Sequence, residues 1–255
     1  MKEWKDSVYA SYLSNGFQSV HNMKNEFELH RKYFKRNYAG YLPASKNSNI
    51  LDLGCGMGQF LYFCKKEGYK NCTGIDASGQ NIAYIKAHHF LEDGYQLYQA
   101  SIMEFLKEKT DCYDVIVLND VIEHLTKEEI FDVLSEVKKA LKPGGRFLIK
   151  TPNMANPFVA AAGRYIDMTH ETGFTEASMR QALTAAGFQN ITIKGTDIYV
   201  LHPVISFAAK SVSRLVNLFL FLMSALYGRT SIRIFEKDLL AVACRGKSRR
   251  SNMEK

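Results

Sequence analysis

Asp52, Asp76 and His170 are the side chains whose surroundings in the sequence could do chemistry. Asp52 sits inside the apolar run Ile50-Leu51-Asp52-Leu53, where a carboxylate is costly unless something pairs with it. The run meets Gly54-Cys55-Gly56-Met57-Gly58, and glycines at alternate positions let the backbone turn tightly and approach a bound molecule. The amides that open a helix from Gln59 then face that molecule. The spacing is G-x-G-x-G, with Gln59 where a dinucleotide fingerprint has its third glycine, so a nicotinamide-binding fold is the alternative reading. Asp76 closes a second strand-like run from Cys72, and a carboxylate there can accept both hydroxyls of a ribose held over the first turn. His170 lies in Tyr165-Ile166-Asp167-Met168-Thr169-His170-Glu171-Thr172-Gly173-Phe174-Thr175. Histidine exchanges a proton near neutrality and suits a general base, with Asp167 to orient it. Alternatively, His170 only ties its loop to Phe174 and the helix cap at Thr175. His124 is a second candidate base, and neither it nor Asp120 or Glu123 falls into a compelling metal-ligand spacing, so metal-independent chemistry is expected.

The elements that must hold these groups alternate in type. Ile50–Leu53, Cys72–Asp76, Tyr95–Ala100, Tyr113–Asn119 and Arg146–Lys150 read as strands. Helices are expected over Gly58–Glu67, Ser78–Phe90 and Lys127–Leu141, with a Pro143-Gly144-Gly145 turn before the fifth strand. A helix near Thr175–Ala186, a stop at Gly187, and strands Ile191–Thr196 and Leu239–Cys244 complete the series. Such alternation argues for a parallel sheet with right-handed crossovers.

These blocks in this order resemble the class I S-adenosylmethionine-dependent methyltransferases, in particular glycan and small-molecule O-methyltransferases. The resemblance covers residues 49 to 197 and a last strand at 239 to 244, and implies an α/β, Rossmann-like fold. Its sheet would be seven-stranded and mostly parallel, with helices on both faces and a helical insertion before the last strand. S-adenosylmethionine is the cofactor so implied. Asp52 with the backbone of Gly54, Cys55 and Gly56 would hold its methionine end. Asp76 would hold the ribose, with Ala77 beside the adenine. Ser101 and Ile102 stand where the family often has an acidic residue facing the adenine amino group, so Ser101 implies a backbone contact. Asn119 would offer its carbonyl near the ammonium or sulfur. The D-x-T-H-E-x-x-F-T segment resembles one placed over the acceptor pocket in sugar methyltransferases, which makes His170 the implied base. Relatives that methylate base or glutamine nitrogens often carry Asn/Asp-Pro-Pro-Tyr/Phe after the fourth strand. Here the residues are Asn119-Asp120-Val121-Ile122, which favours a hydroxyl acceptor.

Composition fits one α/β domain with embellishments: 255 residues, 46% hydrophobic, and five cysteines without C-x-x-C spacing, as expected in a reducing compartment. No apolar leader opens Met1 to Gly16, so a cytoplasmic location is expected. The net charge of +7 is concentrated in residues 198 to 255, where ten Lys/Arg face three acids. The same part holds the most apolar run, Leu215 to Leu226. Four zones follow: a helical lid at 1–48, a cofactor domain at 49–197 plus 238–246, an apolar amphipathic insertion at 198–237, and a basic tail at 247–255. In Lys210 to Gly228, Lys210, Ser213, Arg214, Asn217 and Ser224 share one helical stripe and the rest is a broad apolar arc. With only 14 uncharged residues between Arg214 and Arg229, the segment suits the interface of an anionic membrane better than a span. The alternative is a helix buried against the domain or in a dimer. The expected activity is O-methylation of a hydroxyl on a glycan or lipid-linked acceptor, at the inner face of the membrane. A prenylated quinone-type ring is the alternative acceptor, and a cofactor-binding, membrane-peripheral protein without turnover the non-enzyme alternative. The tail lacks interleaved aromatics, which argues against nucleic acid.

Overall fold

The computed structural model describes residues 23–88, 95–163, 165, 167–197 and 202–247. Seven strands, β1 Asn49–Leu53, β2 Asn71–Asp76, β3 Tyr95–Gln99, β4 Tyr113–Asn119, β5 Leu141–Pro152, β6 Gln189–Gly195 and β7 Asp238–Cys244, form one sheet. Their order is β3-β2-β1-β4-β5-β7-β6, with β7 antiparallel to β5 and β6 and the other pairs parallel. β1 and β4 lie at the centre, buried on both faces, which is why their sequences read as near-continuous apolar runs.

Alternate residues of β4 feed two cores. Val115 and Val117 join Phe34, Tyr38, Phe60, Phe63, Ile82 and Leu240 beneath α1 Met23–Tyr38, α2 Gln59–Lys66 and α3 Gly79–Ala87. Ile116 and Leu118 join Ile130, Leu134, Val137, Phe147, Met179 and Leu183 beneath α4 Ile102–Leu106, α5 Lys127–Ala140 and α7 Glu176–Ala185. Three helices begin with reciprocal caps, Ser101 with Glu104, Thr126 with Glu129 and Thr175 with Ser178.

The expected turn at Pro143-Gly144-Gly145 is an irregularity within one long strand. Tyr113 pairs with Leu141 and Val115 with Arg146, so four residues of β5 are accommodated opposite Asp114. Gly144 there has φ +80. Helices α4 and α6 Pro157–Gly163 were not expected from the sequence. The end of the helix expected to Phe90, the insertion's first residues 198–201, and residues 1–22 and 248–255 of the lid and tail lie outside the described residues.

Between β6 and β7 the chain runs out into α8 Pro203–Leu226. Its burial is inverted. Ser206 is buried and Lys210, Ser213, Asn217 and Ser224 half-buried, as are Leu220 and Phe221, whereas Arg214 is exposed and Phe207, Leu215, Leu218, Phe219, Leu222 and Leu226 are all more than half exposed. The alternative of a helix buried against its own domain is thus corrected: only 6% of its most apolar window is covered. By length and composition alone, Val204–Leu226 could cross a membrane.

Candidate active site

The carboxyl ends of β1, β2 and β4 open on a cavity of about 540 Å³, the side of a parallel sheet where ligands are held. Asp52, Gly54, Cys55, Gly56, Asp76, Ala77, Ser101, Ile102 and Asn119 all line it. Gly54 has φ +70, and a Cβ there would lie 2.5 Å from Val121 Cγ2, so only glycine fits this bend. Cys55 contributes backbone: its N–H donates to the Ile75 carbonyl at 2.8 Å while its thiol is buried in the core.

The two carboxylates differ in their surroundings. Asp76 Oδ2 accepts from the Gly56 N–H at 2.8 Å, and Oδ1 from the Ser78 N–H at 2.8 Å and Asn81 Nδ2 at 3.1 Å. Burial raises its pKa and these three bonds oppose the rise. Asp52 is 1% exposed and its Oδ1 has no protein partner. Burial first, and the charge of Asp76 second, push its carboxyl up to about 8. An orphaned buried acceptor beside a glycine-rich turn, with a ribose-type carboxylate across from it, fits S-adenosylmethionine, which carries both an ammonium and ribose hydroxyls.

Ser101 departs from an acidic residue for a local reason. Its hydroxyl donates to Glu104 Oε2 at 2.7 Å and accepts the Glu104 N–H at 3.3 Å, so it is committed to starting α4. The Asn119 side chain is likewise engaged, its Oδ1 accepting from the Tyr38 hydroxyl of α1 at 2.5 Å.

The loop with His170 is stapled onto the segment after β4. The N–H groups of Glu171 and Thr172 donate to the Glu123 carbonyl at 2.8 and 3.0 Å, and the Thr172 hydroxyl to the Leu125 carbonyl at 2.8 Å. His124 lines the cavity wall; His170 packs behind it, edge to face, with ring centroids 4.7 Å apart. Asp167 orients His124 and not only its own loop. The Thr169 hydroxyl donates to Asp167 Oδ1 at 2.6 Å, and Thr169 Oγ1 itself lies 2.6 Å from His124 Nδ1. A hydroxyl that donates to a carboxylate accepts from the imidazole, so His124 carries its proton on Nδ1 and its lone pair on Nε2. His170 Nδ1 lies 2.5 Å from the Gly163 carbonyl. Among the described residues, Glu123, His124 and His170 also bring ligand atoms within 4.8 Å of one another, near enough to hold a cation. Burial, then the nearby Asp120 charge, lifts the Glu123 carboxyl to about 8.

Sequence reasoning missed the wall contributed by α1, where His30, Tyr33 and Phe34 face the cavity, and it missed Lys150. Lys150 is a lysine at the carboxyl end of a buried strand, a type and place that could have drawn notice. Its ammonium pairs with Asp120 and lies over the Tyr33 ring, 5.8 Å from the centroid. Burial alone would lower its pKa, but the Asp120 carboxylate outweighs burial and holds it above the ordinary lysine value.

Comparison with known proteins identifies the family. The chain is 35% identical over 109 residues to the mitochondrial ubiquinone biosynthesis O-methyltransferase of Rattus norvegicus, covering 41% of this chain and 30% of that protein. It is 26% identical over 188 residues to a tRNA U34 carboxymethyltransferase of Pseudoalteromonas translucida, covering 72% and 58%. The chain thus spans less than two thirds of the length of either relative. A crystal structure of a SAM-dependent methyltransferase from Archaeoglobus fulgidus shares the fold, with TM-score 0.62 at 20% identity over 89% of this chain and 100% of that one. A family model described as a methyltransferase domain matches residues 24–193, most of the described sheet together with α1, and the chain accordingly belongs to the S-adenosylmethionine-dependent methyltransferases.

Proposed function

We propose that this enzyme methylates a hydroxyl oxygen on an acceptor held at a membrane surface. The observation that carries the reading is the Asp167–Thr169–His124 chain at the cavity wall, because an alcohol acceptor needs a base near the attacking oxygen. When bound, S-adenosylmethionine supplies a methyl group already activated on a positively charged sulfur. Asp52 with the Gly54–Gly56 backbone holds its methionine end, Asp76 its ribose, and Ala77 with Ser101 and Ile102 its adenine. Asn119, its side chain held by Tyr38, bounds the acceptor side. His124 takes the hydroxyl proton, Asp167 through Thr169 fixes its tautomer, and His170 buttresses its ring.

The acceptor class rests on α8. Its outward apolar face, with Lys210 and Arg214 on the helix and Arg229 and Arg233 just beyond it, suits an interfacial helix on anionic lipid. A spanning pose would draw Lys210 and Arg214 toward hydrocarbon, at about 2.5–3.5 kcal/mol each near the centre. On this reading residues 49–197 with 238–246 are the catalytic unit, 1–48 its lid, and 198–237 the membrane-facing insertion. The acceptor is a lipid-linked glycan or, as a second reading favoured by the name of the rat relative, a prenylated ring. Mass spectrometry of lipids and glycans from cells with and without the enzyme tests this: a lipid-extractable species should lose a methyl increment, and a change confined to water-soluble nucleic acid or protein would overturn it.

A further inference from the structure

Lys150 is not accounted for by cofactor binding or by the histidines. It ends β5 beside Asn119 and Asp120 and lines the cavity, yet its side chain is only 14% exposed. An ammonium so placed is costly without an anion, and its carboxylate partner, Asp120, is 49% exposed at the cavity edge. Asp120 is itself unusual. It is a non-glycine residue at φ +52, held there by its N–H donating to the Lys150 carbonyl at 2.9 Å and by its side chain on the Lys150 ammonium. Backbone strain and a buried cation therefore coincide at the acceptor side of the cavity.

We propose that Lys150 is a specificity-determining residue that holds the acceptor's reacting oxygen as an oxyanion, with Asp120 as the counter-ion that accompanies Lys150 when no acceptor is bound. This rests on the proposed function and narrows it to the second of its two acceptors, the ring, whose hydroxyl is acidic. The charge and lining of the cavity, taken with the proposed function, point to an oxyanion. Lys150 presents a fixed positive charge in a cavity whose apolar wall of Tyr33, Phe34 and Phe60 strengthens electrostatic attraction. The bound cofactor adds a second positive charge, so an anionic oxygen satisfies both. His124 receives the proton, which leaves the charge on the acceptor oxygen beside Lys150. A phenol, ionising near 10, gives up its proton far more readily than an alcohol close to water's 15.7 and so leaves an anion for Lys150 to hold. Lys150 thus selects acceptors with an acidic hydroxyl over those with a sugar alcohol.

The test uses 4-nitrocatechol, whose absorbance reports its own ionisation, bound to the full chain without cofactor. In the wild type the bound probe should ionise at least tenfold more readily than in solution. Lys150→Met should abolish that shift and Lys150→Arg should keep most of it. Asp120→Asn, which tolerates the left-handed backbone, should enlarge it by removing the competing carboxylate. A probe that does not bind, a shift unchanged in Lys150→Met, or one reduced in Asp120→Asn overturns the proposal. S-adenosylmethionine binding, measured in parallel, shows that each variant is folded; its absence in the wild type would instead strike at the cofactor site. Should Lys150→Met not fold, the Asp120→Asn arm decides the matter.

Discussion

Asp52 makes the cofactor's affinity depend on pH in a calculable way. Burial pushes its carboxyl up to about 8, and its Oδ1 has no protein partner. Pairing with the cofactor's ammonium, as proposed, would require the carboxyl to give up a proton. At pH 6, about two units below that value, the deprotonation costs roughly 2.7 kcal/mol, or about 100-fold in affinity. Affinity should rise by close to tenfold per unit up to about pH 7.5, beyond which a free α-amino group of pKa about 7.7–8.0 starts to lose its own charge. Titration calorimetry at pH 6 in buffers of different ionisation enthalpy should detect about one proton released per cofactor bound, and Asp52→Asn should flatten the pH dependence while weakening binding. Affinity that is level from pH 6 to 7.5 in the wild type would refute the pairing. The same group acts on stability. Its folded-state pKa lies above the ordinary aspartate value of 3.8, so the folded protein keeps a proton that the unfolded chain releases. Stability from this group is present below about pH 4 and is lost as pH rises toward 8, by up to a few kcal/mol. Asp52→Asn should accordingly raise the melting temperature of the cofactor-free protein at pH 8 even as it impairs binding.

Asp76→Ala removes a carboxylate that could accept two ribose hydroxyls, at roughly 1.5–3 kcal/mol per charge-assisted bond, and should weaken S-adenosylmethionine at least tenfold by calorimetry. His124→Ala should lower methyl transfer by about 10²–10⁴-fold with cofactor affinity nearly intact, and His170→Ala by less. Equal losses in both, or a larger one at His170, would return the base role to His170. Leu218→Asp with Leu222→Asp should abolish co-sedimentation with anionic vesicles. Arg229→Glu with Arg233→Glu should remove only the preference for anionic lipid, each basic residue contributing about 1 kcal/mol. A wild type that stays in the supernatant at low salt would exclude the interfacial reading.

Most of the sheet was legible because its signals are local. Apolar runs ending in Asp76 and Asn119, glycines at 54, 56 and 58, and the Thr126–Glu129 and Thr175–Ser178 caps each act within a few residues. The expected cofactor residues all reach one cavity because the parallel order of β1, β2 and β4 sets their carboxyl ends side by side. The acceptor side was harder to read. Which histidine faces the cavity depends on how the 167–172 loop is stapled to the Glu123 and Leu125 carbonyls, a pairing between segments more than 40 residues apart. Lys150 at the end of an apolar strand gives no hint in its own neighbourhood that Asp120, 30 residues earlier, will meet it.

The insertion shows what periodicity can and cannot establish. A polar stripe through Lys210, Ser213, Arg214, Asn217 and Ser224 defines two faces of a helix but not which one turns inward. In a soluble domain the apolar face is the one buried, yet here the polar stripe, Arg214 excepted, lies toward the protein and Phe207, Leu215, Phe219 and Leu222 point away. Fully covering such side chains is worth about 1.5–3 kcal/mol each, so leaving several exposed is a large unfavourable term unless an apolar medium receives them. Other features of the chain give that medium an address. The helix follows Asp197, whose carboxylate accepts from Arg36 and whose N–H donates to Asn37, both on α1. That same helix supplies Tyr33 and Phe34 to the cavity wall and Tyr38 to Asn119. The chain entering the insertion is therefore tied, at Asp197, to the helix that walls the cavity, an arrangement that would suit the proposed lipid-borne acceptor.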